Sequence, residues 1–213
     1  GLPLVDVARP TAAKSLRWVK RSMDVLGSAF FLLAASHILL AAMIAIKLED
    51  GGPIFFKQRR VGLNGEEFDC LKLRSMCVDA EARLAELQAK NEGAGILFKM
   101  KDDPRITRTG KIIRRFSVDE LPQLWNVFRG DMSLVGPRPA LPKEVAQYDF
   151  DTRRRLRVRP GLTGLWQVSG RSRLSWEDTV RLDLYYVDNW SLTQDMIILL
   201  RTAKAVVGSD GAY

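Results

Sequence analysis

Asp119 and Glu120 stand side by side, just after Arg114 and Arg115 and just before a run in which Leu121, Leu124, Trp125 and Phe128 recur at steps of three and four. That spacing predicts a helix. Pro122 has no amide hydrogen and is tolerated only in the first turn, so the helix is expected to start no earlier than Val118 as its cap. Both acids then lie at its amino end, where the helix dipole favours an anion by roughly 0.3 to 1 kcal/mol when exposed and up to about 2 when partly buried. Both are expected to be ionised at neutral pH. The same helix end attracts phosphate, and Arg114 and Arg115 offset the charge of two carboxylates meeting a diphosphate. Neighbouring helical positions point about 100° apart, so the two acids cannot act as one symmetric pair. Two roles follow: one carboxylate attacks a phosphorus centre to give an acyl phosphate, and the other holds a divalent ion that neutralises phosphoryl oxygens. Acids also decorate ordinary helix starts, and spacing alone does not separate the two readings.

The rest of the composition narrows the chemistry. The chain's one histidine, His37, lies in an apolar run, which removes a Ser/His/Asp triad and His-ligated metals. No Walker loop and no Gly-x-Gly-x-x-Gly is present, so a nucleotide must be held by other means. Cys70 and Cys77 match no paired metal-ligand spacing and are expected as free thiols in a reducing compartment. A net charge of +8 over 213 residues points to an anionic partner: nucleic acid, phosphorylated metabolites or a bilayer surface. The sequence opens at Gly1 without Met, which reads as a processed or excised portion of a longer polypeptide.

The elements that must position the acids are short, apart from one. The 22 residues from Val25 to Ile46 hold no Asp, Glu, Lys or Arg, about 33 Å as a straight helix and enough to cross a bilayer core. Lys14, Arg17, Lys20 and Arg21 precede this run, and Lys47, Lys57, Arg59 and Arg60 follow it. The flanks are balanced, so the charge rule for a single crossing points neither way. Balanced flanks and the central Ser36-His37 pair predict a hairpin that enters and leaves on one face, against the alternative of an ordinary spanning helix. Residues 54–60 and 66–73 flank Asn64-Gly65 and predict a β-hairpin. Residues 78–90 predict a helix that ends in a loop around Gly93 and Gly95, and Ser175 to Asp178 and Ser191 to Gln194 read as capping boxes opening two more helices, the last from Thr193 to about Val207. The fold class expected is helix-rich α+β, with a small β-hairpin, an N-terminal re-entrant membrane helix and amphipathic surface helices. It divides into a juxtamembrane segment 1–24, a membrane hairpin 25–46 and a catalytic domain 47–213.

Asp119-Glu120-Leu121-Pro122-Gln123, followed by the run from Gly130 to Pro139, resembles the signature of the bacterial sugar transferases, the monotopic polyprenyl-phosphate phosphoglycosyl transferases of the undecaprenyl-phosphate hexose-1-phosphate type. The likeness extends to residues 52–58, 72–76, 103–107, 160–164 and 167–171 and covers the chain from about Lys14 to its end. It implies transfer of a sugar 1-phosphate from a nucleotide diphosphate sugar, by default a UDP-sugar, to polyprenyl phosphate. That step initiates exopolysaccharide or glycoconjugate synthesis on the cytoplasmic face of the bacterial inner membrane. By the same resemblance Asp119 is the nucleophile and Glu120 its assistant, Mg2+ is held by Asp119 and Glu120, and Lys72, Arg114 and Arg138 contact phosphates. For Lys72 and Arg74 an exposed strand pair is the competing reading, whereas two prolines beside Arg138 favour a fixed functional position. The family's membrane helix breaks at Ser-Pro where this chain has Ser36-His37, so the bend has to come from other sources. Arg153, Arg154, Arg155, Arg157 and Arg159 read either as a headgroup-binding cluster or as internal ion pairs. Membrane lipids are expected partners and nucleic acid is not; homo-oligomerisation stays open. Two rival readings are a nucleotide-sugar pyrophosphatase, with water as acceptor, and a basic membrane-anchored binding module without catalysis.

Overall fold

A computed structural model describes residues 14–87, 103–170 and 174–207. Residues 1–13 of the juxtamembrane segment, the loop at Gly93 and Gly95, and Arg171 lie outside them. The chain opens with α1 (Lys14–Ala34) and α2 (Ser36–Asp50), which meet at Ala35 in a bend of 59°. Ser36 Oγ donates to the Leu33 carbonyl at 2.8 Å, closing the turn from the side-chain side where a proline would have opened it. The result is an open bend rather than two antiparallel arms. No single helix among the described residues is long and apolar enough to cross a membrane, whereas the bent pair satisfies that test by length and composition.

One face of α1 is built for protein contact. Lys20, Asp24 and Ser28 recur every four residues and form one stripe. Lys20 Nζ reaches Asp195 Oδ2 at 2.7 Å and the Val135 carbonyl at 3.1 Å, and Asp24 Oδ1 accepts from the Ser133 hydroxyl and the Leu134 amide, each at 2.9 Å. Arg21 donates to the Val127 and Phe128 carbonyls, both at 2.7 Å. Lys20 and Arg21 therefore tie α1 to the domain by internal bonds, a role that their position before the apolar run did not show. The other face of α1 exposes Leu26, Phe30 and Leu33. α2 is likewise two-sided: Ala42 and Ile46 are buried with Leu73 and Ile113, and Leu40, Ile44 and Leu48 are exposed.

The expected hairpin forms from β1 (Phe55–Val61) and β2 (Glu67–Leu73), antiparallel, with Phe56 opposite Lys72, Gln58 opposite Cys70 and Arg60 opposite Phe68. Asn64 takes the left-handed backbone conformation in the short turn between them. The helix predicted over 78–90 is described as α3 (Ala80–Leu87), and α4 (Arg108–Arg115) starts at the Thr107 cap, whose side chain accepts from the Gly110 amide. The end of α2 caps α4 as well, because Glu49 accepts from the Arg108 amide at 2.8 Å.

After α5 (Gln123–Arg129), Gly130 closes the helix at φ +103°, a conformation that favours glycine. The strands β3 (Ser133–Val135) and β4 (Gly161–Thr163) then form a parallel pair that the sequence did not announce. At Gly161 a β-carbon would come within 2.1 Å of the Gly136 amide nitrogen, so this backbone approach requires glycine. Further on come α6 (Pro142–Val145), α7 (Leu165–Ser169), α8 (Trp176–Asp188) and α9 (Leu192–Val207). The two capping serines are in place: Ser175 accepts from the Asp178 amide at 3.0 Å and Ser191 from the Gln194 amide at 3.1 Å. The main core gathers Phe68, Leu124, Val127, Met132, Val135, Tyr186 and Ile198, which ties the hairpin, α5, the parallel pair and the last two helices together.

Candidate active site

Asp119 and Glu120 do not occupy the first turn of α5. They form a separate 3-10 turn, Val118–Glu120, entered through Ser117 at φ +55°, and α5 begins only at Gln123 with Pro122 as its cap. Ser117, in the left-handed conformation, carries the chain from the end of α4 into this turn. The acids therefore sit on a connection held at both ends by helices rather than on the amides of a long helix.

Their environments differ. Glu120 Oε1 lies 2.7 Å from Lys72 Nζ, each side chain being partly exposed. Asp119 is half-buried and accepts no hydrogen bond from another residue among the described ones. Burial, reinforced by the charge of Glu120, raises its carboxyl to about 6, although Lys72 and Arg114 act in the opposite direction. Desolvation outweighs the nearby cations, so the carboxyl lies above the usual range even though the sequence places it near a helix start. At pH 7 a group near 6 is still about nine-tenths ionised, so it remains a competent base or nucleophile.

The register between the turn and the hairpin is set by Asn126, a buried residue of α5. Its Oδ1 accepts from the Leu71 amide at 3.0 Å, while its Nδ2 donates to the Asp69 carbonyl at 2.8 Å and to Asp131 at 3.0 Å. Three bonds from one amide lock α5 to β2 and so place Lys72 against Glu120. Arg114, in the last turn of α4, is partly exposed and within electrostatic reach of Asp119. Arg138, between Pro137 and Pro139, leans its guanidinium on the buried Glu144 at 3.2 Å. Glu144 is in turn fixed by the Leu141 amide at 2.8 Å. The structure thus brings Asp119, Glu120, Lys72 and Arg114 to one place, while Arg138 stands on the segment after β3 with Glu144 as its partner. Arg74 belongs elsewhere. It is buried, pairs with Asp50 and donates to the Pro53 carbonyl, anchoring the end of α2 to β2 instead of forming an exposed strand pair with Lys72.

The arginine cluster divides in the same way. Arg155 is buried against Asp183 at 2.5 Å and the Tyr148 hydroxyl at 2.7 Å, and Arg154 pairs with Asp188, whereas Arg153, Arg157 and Arg159 are exposed. Internal ion pairs account for two of the five. One residue that the sequence reading passed over is Arg60, buried on β1 on the same face as Cys70 and Lys72. Its signal was the two-residue alternation Phe56, Gln58, Arg60, which sends Arg60 inward and Arg59 outward.

A carboxylate left available on a tight turn, a second carboxylate held by a lysine, and Arg114 close by form a site suited to phosphorylated substrates. The sequence profile of the bacterial sugar transferases matches residues 15–209, and the chain belongs to that family as an enzyme of the sugar-phosphate-transferring type. It is 46% identical to the exopolysaccharide production protein ExoY of Sinorhizobium fredii over 198 residues, 91% of this chain and 88% of that protein. It is 44% identical to the undecaprenyl-phosphate galactose phosphotransferase of Salmonella typhimurium, where the match covers 99% of this chain and 45% of the relative. The UDP-glucose:undecaprenyl-phosphate glucose-1-phosphate transferase of Caulobacter vibrioides is 41% identical, over 96% of this chain and 74% of its own length. The chain therefore spans most of ExoY but less than half of the Salmonella relative.

Proposed function

We propose that this chain transfers a hexose 1-phosphate from a UDP-sugar to polyprenyl phosphate through a covalent intermediate on Asp119. The observation that carries the reading is the contrast between the two acids: Glu120 is engaged by Lys72 at 2.7 Å, and Asp119 is left without a neighbour's hydrogen bond among the described residues. A side-chain oxygen of Asp119 attacks the phosphorus that bears the sugar. The bond to the bridging oxygen breaks, and nucleoside monophosphate leaves with the electron pair. The product is a mixed anhydride of Asp119 and the sugar phosphate. An oxygen of the lipid phosphate then attacks the same phosphorus, and the Asp119 carboxylate is released unchanged. Lys72 holds Glu120 in place beside the reacting centre, and Arg114 and Arg138 bind equatorial or bridging phosphoryl oxygens.

Asp119 and Glu120 would also hold Mg2+. An accessible carboxylate with a second carboxylate next to it fits an ion that takes one or two protein carboxylates and completes its shell from substrate phosphates and water. When bound, the ion would neutralise phosphoryl charge. Exposed Leu26, Phe30 and Leu33 on α1 and Leu40, Ile44 and Leu48 on α2 support a bent pair that enters and leaves the inner membrane from the cytoplasmic side, with the active site near the headgroups. A lipid acceptor and a soluble donor then reach Asp119 from opposite directions.

The test is mass spectrometry of protein quenched with donor and Mg2+ in the absence of acceptor. A sugar-phosphate adduct is expected on the peptide containing Asp119, and Asp119→Asn is expected to abolish both adduct and turnover while donor binding persists. An adduct on another residue, or turnover of Asp119→Asn at the parental rate, refutes the assignment. Release of nucleoside monophosphate and free sugar 1-phosphate without any lipid product would favour the pyrophosphatase reading instead.

A further inference from the structure

Arg60 carries a charge that the protein does not neutralise. Its side chain is buried, with 9% of the residue's surface exposed. Its Nε and one terminal nitrogen donate to Gln58 Oε1 at 3.1 and 2.5 Å, and the other terminal nitrogen donates to the Pro139 carbonyl at 2.8 Å. Both acceptors are neutral, and no carboxylate forms an ion pair with it among the described residues. A guanidinium has five N–H donors, so two remain unused after these three bonds. Buried charges in folded proteins are ordinarily paired, because desolvating an ion without a counter-charge is costly. Every other arginine or lysine found buried here has an acid: Arg74 has Asp50, Arg105 has Asp103, and Arg155 has Asp183.

The surroundings increase the imbalance. Pro139, which Arg60 holds, follows directly on Arg138, and the field of Arg138 adds to burial in lowering the Arg60 pKa from its ordinary value. The hairpin register puts Arg60 on the face that also carries Cys70 and Lys72, and that face meets the Asp119-Glu120 turn. The more distant Glu144 and Glu120 partly offset the charge of Arg60. Each already has a cation of its own, Arg138 and Lys72 respectively. What remains is a buried cation beside a second one, with free donors, on the hairpin face that also carries Lys72.

We infer that Arg60, with Arg138 beside it, binds a phosphate group of one of the two substrates. The ligand chemistry is a phosphate monoester or diphosphate, supplied either by the nucleotide sugar or by the lipid phosphate. This rests on the transferase reading for the identity of the substrates; the buried unpaired guanidinium stands without it.

The experiment uses the full chain in detergent, with Arg60→Met to remove the charge at similar volume and Arg60→Lys to keep it. The first readout is the shift in thermal unfolding midpoint on adding inorganic pyrophosphate in excess chelator. The parent should be stabilised, Arg60→Met should lose the shift, and Arg60→Lys should retain part of it. The second readout is steady-state kinetics with donor and acceptor varied separately. Loss of a charge-assisted hydrogen bond predicts a rise of roughly 10- to 100-fold in one KM. A rise in donor KM with weaker nucleotide exchange assigns the anion to the nucleotide sugar, and a rise in acceptor KM alone assigns it to the lipid phosphate. Arg60→Met that keeps both the pyrophosphate shift and both KM values overturns the inference. So does Arg60→Met that fails to fold while Arg60→Lys responds to pyrophosphate and to both substrates like the parent, because Arg60 would then serve the fold. If Asp119→Asn keeps turnover but Arg60→Met loses the pyrophosphate shift, the covalent step fails and the anion site stands.

Discussion

Lys20→Met should loosen the attachment of the first helix to the domain. Lys20 Nζ bonds Asp195 at 2.7 Å and the Val135 carbonyl at 3.1 Å, and Asp195 is fully buried. Removing one member of a buried pair strands the other, at about 3 to 5 kcal/mol. Asp195 retains the Tyr186 hydroxyl at 2.7 Å and the Trp190 indole at 3.1 Å, which places the cost near the lower end, about 3 kcal/mol. For a domain of this size each kcal/mol moves the unfolding midpoint by about 2 to 4 °C, so a drop of roughly 6 to 12 °C is expected. The assay is thermal unfolding in one detergent at fixed protein concentration. The double variant Lys20→Met/Asp195→Asn should be less destabilised than Lys20→Met alone, because no charge is then left unpaired. A midpoint for Lys20→Met within about 2 °C of the parent, or a double variant worse than the sum of the singles, would refute the reasoning.

Three other outcomes are expected. Excess chelator should stop turnover and added Mg2+ should restore it, whereas full activity in chelator would remove the ion from the mechanism. The Arg74 guanidinium bonded to Asp50 lowers its carboxyl from the ordinary 3.8 to about 2. A carboxylate depressed on folding stabilises the protein fully above its unfolded value and loses that contribution as pH falls through the folded value, so Asp50→Asn should flatten the acid limb of stability between about pH 4 and 2. An unchanged acid limb would count against the pair. Finally, single cysteines at Leu16 and Val78, in a background lacking Cys70 and Cys77, should react with an impermeant reagent from the same side of vesicles; reaction from opposite sides would make the bent pair a crossing.

What could be read from the sequence was largely local. The Asn64-Gly65 turn, the β-prone runs around it and the Ser175 and Ser191 caps depend on neighbours within a few residues, and all appear where expected. Asp119 and Glu120 were legible as candidates because their flanking sequence is distinctive, but their electrostatics were not. The raised carboxyl of Asp119 arises from burial that needs the hairpin and α5 in place. Lys20 and Arg21 show the same limit. As letters before an apolar run they look like topological charge, and only partners more than 100 residues away reveal their internal bonds. The parallel pair β3 and β4 escaped for a similar reason, being two three-residue strands joined by a long excursion. Arg60 was readable in principle from strand alternation, but its lack of an acidic partner could not be seen before the fold supplied every other pair.

The stripe on α1 also governs the order in which this protein can be made. Lys20 is translated 175 residues before Asp195, and Asp24 some 110 before the Leu134 amide that it binds. At about 5 to 20 residues per second, the wait for Asp195 is roughly 9 to 35 s, long compared with helix formation. For most of that interval, once Asp50 has been made, the apolar bent pair is complete, while Asp195, which Lys20 will bind, has not yet been made. On the membrane placement proposed above, the bilayer would be available to the exposed leucines and phenylalanines first, and the domain would assemble against a helix already in place. A ribosome stalled before α9 should therefore present a nascent chain that is anchored but unclosed, with α1 still accessible to solvent probes along its Lys20 edge.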